Sequence, residues 1–239
     1  MQTKINAALF AAVTFFAVPA SAQVLQEDFN NVAGLSKAGW VFQNNSSPAP
    51  AVNSDWTQGD SSVFHDRTGI DNSYISASYQ SVGDPGGTIS NWLLTPAVPL
   101  ANGDTIRFYT RTVDALSFPD RLEVRLSLSG GSSNVGTTPG SVGDFSDLLL
   151  TVNPALQNGP QNYPTTFTPY NITLSGLPSG ASVGRLGFRY FVTDAGTFGN
   201  NGNYIGVDSL SISAVPEPSA LAFLACGLSA GWLRSRRRR

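Results

Sequence analysis

In residues 121–128, Arg-Leu-Glu-Val-Arg-Leu-Ser-Leu, every even position is aliphatic and every odd position polar. A strand sends successive side chains to opposite faces, so this two-residue period fits a half-buried strand and fits no helical stripe. The pattern recurs. Ile106, Phe108 and Thr110 alternate against Arg107, Tyr109 and Arg111, and Leu186, Phe188, Tyr190 and Val192 against Arg185, Gly187 and Arg189. Shorter strand candidates cover 75–80, 88–94, 170–174 and 204–213. Between them stand turn formers such as Asp84-Pro85-Gly86-Gly87, Asn102-Gly103-Asp104 and Asn200-Asn201-Gly202-Asn203. Many strands with frequent turns predict an all-β fold, an antiparallel sandwich or jelly roll with one face of each strand buried and the other wet.

One strand slips its own period. Ile205 and Val207 are apolar at odd positions, Leu210 and Ile212 at even ones. A one-residue bulge near Asp208-Ser209 accounts for the slip. Asp208 is then either a carboxylate facing water or one re-aimed for a task.

Both ends of the chain read as delivery signals, to be set aside from the fold. Lys4 precedes an apolar run over 5–18, Pro19 breaks it, and Ala20-Ser21-Ala22 follows. This is the pattern of a secretory signal peptide over 1–22, with cleavage expected between Ala22 and Gln23. At the other end stand Val215, Pro216, Glu217 and Pro218, an uncharged stretch over 219–233, and a basic stop over 234–239 carrying Arg234, Arg236, Arg237, Arg238 and Arg239. Fifteen helical residues reach about 22 Å, short of a hydrocarbon core of about 30 Å, so the expected C-terminal transmembrane helix is a marginal span. The arginines hold its end on the cytoplasmic side. The segment 215–239 resembles the PEP-CTERM sorting tail. That resemblance implies an exosortase as partner, a transient membrane anchor, and release into the cell envelope, outer surface or extracellular matrix of a Gram-negative bacterium.

Residues 23–214 form one expected domain of 192 residues with 8 Lys and Arg against 15 Asp and Glu, a net charge of −7. The tail arginines mask this in the whole-chain value of −2. So acidic a domain is a poor partner for nucleic acid. The single cysteine, Cys226, lies in the tail, so the domain has neither a disulfide nor a thiolate, and one histidine, His65, cannot make a His/Cys zinc site.

A second resemblance rests on Glu27-Asp28-Phe29-Asn30, Gly39-Trp40, Trp56 with Gly59, Asn91-Trp92-Leu93-Leu94-Thr95-Pro96, the strand over 121–128, and Ile205-Gly206-Val207-Asp208. The domain resembles the choice-of-anchor J family, related to cleaved-adhesin and MAM-type domains. Lys37-Ala38-Gly39-Trp40 departs from that family's usual Pro-Pro-Gly-Trp. The resemblance implies a concanavalin-like jelly-roll sandwich and a structural Ca²⁺ held by Glu27, Asp28 and Asp208. Calcium takes 6–8 oxygens, so carbonyls or water would complete the shell.

The residues argue against an enzyme. A glycosidase needs two carboxylates flanking one bond. The domain has only two glutamates, Glu27 and Glu123, and Glu123 between Arg121 and Arg125 reads as a solvated charge ladder held ionised. A structural or adhesive surface role remains, with a carbohydrate-binding module or adhesin recognising exopolysaccharide as the alternative and a glycoside hydrolase third. Trp40, Trp56, Trp92, Tyr74 and Tyr79 are either core or sugar-stacking rings. Trp56, amid Asn53, Ser54, Asp55 and Gln58, is expected to be the most exposed of them.

Overall fold

The computed structural model describes residues 22–50, 54–68, 70–114 and 117–215. Most of the expected signal peptide and nearly all of the sorting tail lie outside the described residues.

Among the described residues twelve strands run in chain order: β1 Gln23–Glu27, β2 Val41–Asn44, β3 Thr57–Gln58, β4 Ile75–Ser78, β5 Gly87–Leu94, β6 Val98–Leu100, β7 Thr105–Thr112, β8 Leu122–Ser127, β9 Asp147–Val152, β10 Thr168–Thr173, β11 Ser182–Ala195 and β12 Tyr204–Ser213. They form two antiparallel sheets. The first has the order β10-β7-β12-β4-β3, with β1 also paired to β12. The second has the order β2-β5-β11-β8-β9, with β6 also paired to β11. The strands expected from alternation are present, and the expected two-sheet sandwich is observed.

The inner faces meet in one core. Ile106 and Phe108 of β7 and Ile205 and Val207 of β12 face Val124 of β8 and Leu186 and Phe188 of β11, all at 0% exposure. Phe108 joins the sheets edge to face with Phe188 at 5.2 Å and stacks on Tyr170 at 5.6 Å. A 3-10 helix, Val32–Ala38, closes one side with buried Val32 and Leu35. Gly39 ends it at φ 89°, a left-handed position that suits glycine, and so turns Trp40 inward onto Phe29.

The expectation of a wet outer face fails on the second sheet. Segment 128–146 folds across it, and Val135 and Phe145 from that segment pack with Trp92 and Leu94 of β5 into a separate small core. Trp92 is therefore fully buried, but outside the main core. Glu123 is likewise no solvated ladder: it is 7% exposed and pairs with Arg125 at 2.8 Å and with Arg189 at 3.0 Å. Arg189 is 1% exposed, with its guanidinium over Phe191 at 3.7 Å and its Nε donating to Ser90 Oγ. Strand β8 does alternate as its sequence indicates. Its polar side is covered because a Gly- and Ser-rich loop carries enough apolar residues to make a lid.

Polar groups also occupy one end of the main core. Asp120, 1% exposed, accepts hydrogen bonds from Tyr190 Oη, Thr112 Oγ1 and the Asn203 amide. Asn153 Nδ2 donates to its carbonyl. One side chain thus ties β7, β11 and the loop before β12.

Candidate ligand-binding face

The phase slip in β12 is a bulge, as its sequence indicates. Asp208 pairs with Tyr109 and Ser211 with Arg107, so Ser209 and Leu210 stand opposite Phe108 alone, and Ser209 takes φ 52°. The bulge marks where β12 changes neighbours along one edge. Val207 pairs with Ile75 of β4, whereas Leu210 pairs with Glu27 of β1. Asp208 and Val207 alternate across the strand, and Val207 belongs to the core, so Asp208 lies on the outer side of the first sheet.

A loop over 59–67 lies on that outer side because β12 leaves room for it. A Cβ on Gly206 would stand 2.9 Å from both the Phe64 and Tyr74 rings. With glycine there, Phe64 stacks on Tyr74 at 4.9 Å, meets Tyr204 at 5.3 Å, and carries the Arg111 guanidinium at 4.2 Å. The loop is fixed locally. The Asp60 carboxylate accepts from the Ser62 hydroxyl at 2.6 Å and the Ser62 amide at 2.8 Å, which together hold its pKa down, and the Asp60 amide donates to Tyr74 Oη. Burial pushes the Tyr74 hydroxyl well above the ordinary phenol range, so it stays a neutral donor.

The loop delivers Arg67 to the bulge. Arg67 Nη2 and Nε donate to Ser209 Oγ at 3.0 and 3.3 Å, and Ser209 Oγ donates to Asp208 Oδ1 at 3.1 Å. The Arg67 guanidinium lies 4.4 Å from the centre of the Tyr109 ring, with the Arg107 guanidinium 5.1 Å from the same ring. Arg107 also donates to Tyr109 Oη. Two open clefts meet at Arg67. One, of about 600 Å³, is lined by Phe64, His65, Arg67, Arg111, Asp114 and Phe167. The other, of about 280 Å³, is lined by Gln26, Asp28, Arg67, Arg107, Tyr109 and Ser211.

The expected cation ligands are placed as follows. The first and last strands do run side by side. The Glu27 carboxylate, however, turns back to accept from the Phe29 amide at 2.8 Å, and partial burial raises its pKa. Asp28 stands on the wall of the smaller cleft and accepts from Gln26 Nε2. Asp208 is 1% exposed with Oδ2 unpartnered. Among the described residues no three carboxylates, histidines or cysteines gather as a metal group.

Burial pushes the Asp208 carboxyl up to about 6, against the pull of Ser209 and Arg67. A raised folded-state pKa means that the native chain holds this proton when the unfolded chain has lost it. Its contribution to stability is therefore greatest below the ordinary value of 3.8 and is lost as pH rises through about 6. In EDTA at pH 7.5, Asp208→Asn is expected to stabilise the fold by about 1–2 kcal/mol. The gain should shrink toward pH 4. Denaturant melts across pH check both.

Trp56, expected to be exposed, is buried at 3%, with its Nε1 donating to the Asn91 carbonyl at 3.2 Å. It packs in the main core and offers no ring to a sugar. Trp40 and Tyr74 are buried too, while Tyr79 is exposed. Arg67, Arg107 and Tyr109 were not singled out by sequence as site residues. The available signal was the 107–109–111 polar face opposite the slipped strand.

No family model matches the chain, and no curated protein matches it. Solved structures of cleaved adhesin domains of Lys-gingipain are similar. The K3 domain from Porphyromonas gingivalis shares 21% identity, covering 82% of this chain and 100% of that one, with a TM-score of 0.53. The K1 domain from the same organism shares 22% identity over 80% and 98%, with a TM-score of 0.54. The K2 domain shares 15% over 79% and 98%, with a TM-score of 0.51. At these identities the likeness is one of fold: the described chain is an antiparallel β-sandwich built like those adhesin domains.

Proposed function

We propose that this chain is an exported envelope or extracellular-matrix protein whose sandwich domain works by adhesion to polysaccharide rather than by catalysis. In this reading the signal peptide is cut between Ala22 and Gln23, the domain is of the choice-of-anchor J type with a concanavalin-like jelly roll, and an exosortase processes the PEP-CTERM tail after transient anchoring. The adhesin-like fold supports it, as do the delivery patterns at both ends. The observation that carries it is the exposed face at Arg67, where arginines and aromatic rings line two adjoining open clefts. Sugar-binding surfaces combine such rings with a few oriented polar groups. Both glutamates of the domain are otherwise engaged. Glu123 is buried between two arginines, and Glu27 is held by the Phe29 amide, which suits neither to a hydrolase pair.

Expression of the full chain in a Gram-negative host, with and without an exosortase, tests the delivery half. The expected product is extracellular, begins at Gln23 and lacks the tail. A soluble, uncut cytosolic chain would overturn it. A glycan array probed with the released protein tests the adhesive half: saturable binding is expected, and binding to no glycan would leave only a structural role.

A structural calcium is a second reading, favoured by one atom. The unpartnered Oδ2 of buried Asp208 is what a cation would answer, with Asp28 on the adjoining cleft wall. Calcium there would raise the melting temperature of the wild type and not of Asp208→Asn. Identical melts in calcium and EDTA would remove this reading.

A further inference from the structure

Resting on the adhesive reading, we propose that the surface formed by Arg67, Tyr109 and Arg107 binds the carboxylates of a uronate-bearing polysaccharide. Arg125 and Arg189 pair with Glu123, and Arg111 pairs with Asp114 at 3.0 Å. Arg121 donates to the carbonyls of Phe191 and Pro154, and Arg185 to those of Gly39, Thr95 and Gly131. Each of these five closes a strand, a loop or a buried charge.

Arg67 and Arg107 differ. Both are exposed, and neither has a carboxylate within 4.0 Å among the described residues. Among the described residues the Arg67 side chain bonds only the Ser209 hydroxyl, and the Arg107 side chain only the Tyr109 hydroxyl. Both guanidiniums are held against one ring, so little side-chain freedom remains to be lost on binding. A guanidinium presents a planar fork of donors that matches a carboxylate in paired hydrogen bonds. Two such forks without a carboxylate partner lie on one cleft of a domain whose net charge is −7. Asp208 faces them from beneath the bulge and Asp28 from the cleft wall. These acids limit binding of free anions and favour a ligand that also fills the cleft. The hydroxyls of Ser209 and Ser211 and the Gln26 amide line the same cleft and suit the neutral hydroxyls of a sugar ring.

The test uses the released, mature protein and three probes: oligogalacturonate, its methyl ester, and dextran. Oligogalacturonate is expected to bind saturably and to weaken as salt rises, while methyl ester and dextran bind at least about tenfold more weakly. Arg107→Ala on the exposed strand should lose about tenfold or more in affinity with an unchanged melting temperature. Arg107→Lys should recover only part, because an ammonium lacks the fork. Arg67→Ala also releases the loop from the bulge, so it is read only alongside its own melting curve. Equal affinity for acid, ester and dextran overturns the proposal, as does acid binding that survives Arg107→Ala. If the array shows a neutral glycan bound and oligogalacturonate not, this proposal fails while the adhesive reading stands. If nothing binds, both fail.

Discussion

Asp120→Ala is expected to cost the domain about 3–5 kcal/mol, the largest loss from any single polar side chain on the inner side of the sheets. The carboxylate is fully buried and takes three hydrogen bonds, from Tyr190 Oη, Thr112 Oγ1 and the Asn203 amide. Burial raises its pKa, and those three donors oppose the rise. Removing it leaves the Tyr190 hydroxyl and the Asn203 amide without this acceptor, while the Thr112 hydroxyl can turn to the Tyr204 carbonyl at 3.1 Å. The loss falls on β11 and the loop before β12. For a domain of this size, 1 kcal/mol corresponds to about 2–4 °C. A fall in melting temperature of about 6–20 °C is therefore expected by calorimetry. A loss under about 1 kcal/mol would show that this cluster is not the tie described. Asp120→Asn keeps one acceptor oxygen and should lie between the two.

Glu123→Ala should be comparably severe, for an electrostatic reason. Arg189 at 1% exposure relies on Glu123 as its only carboxylate partner among the described residues. Burial lowers the Arg189 pKa to about 10, so it stays charged at neutral pH. Truncating the carboxylate leaves an uncompensated buried cation, which costs about 3–5 kcal/mol. The diagnostic is the double variant. Replacing both Glu123 and Arg189 by Leu removes the whole buried pair and should recover most of the loss, since buried pairs exchanged for apolar residues are often near neutral. Urea melts of the two single variants and the double give the coupling directly. If the double were no better than Glu123→Ala, the cost would lie in packing of segment 128–146 instead.

How far the sequence carried this structure depends on where local chemistry decided the outcome. Strands such as β7, β11 and β12 were legible because one face of each is buried and the period of two survives in the residue order. The bulge was legible for the same reason, as a slip in that period. The covered face of β8 was not. Val135 and Phe145 are isolated apolar residues in a Gly- and Ser-rich stretch, and nothing periodic announces that they reach Trp92. Trp56 misled because its chain neighbours are polar, while its burial comes from packing beside Asn91, 35 residues away. Short β3 and Pro-bearing β6 carry too few residues to show a pattern. In the ligand face, Asp208 could be singled out from the slip. Arg67 could not, because its place depends on Gly206 making room for Phe64 and so for the loop.

The central claim is that this sandwich holds its ligand on the outer side of the first sheet. Hydrogen exchange of the released protein, with and without its best array glycan, tests that most directly. Added protection at 60–68, 105–112 and 208–211 is the predicted result. Protection confined to the second sheet's covering segment, 128–146, would contradict it.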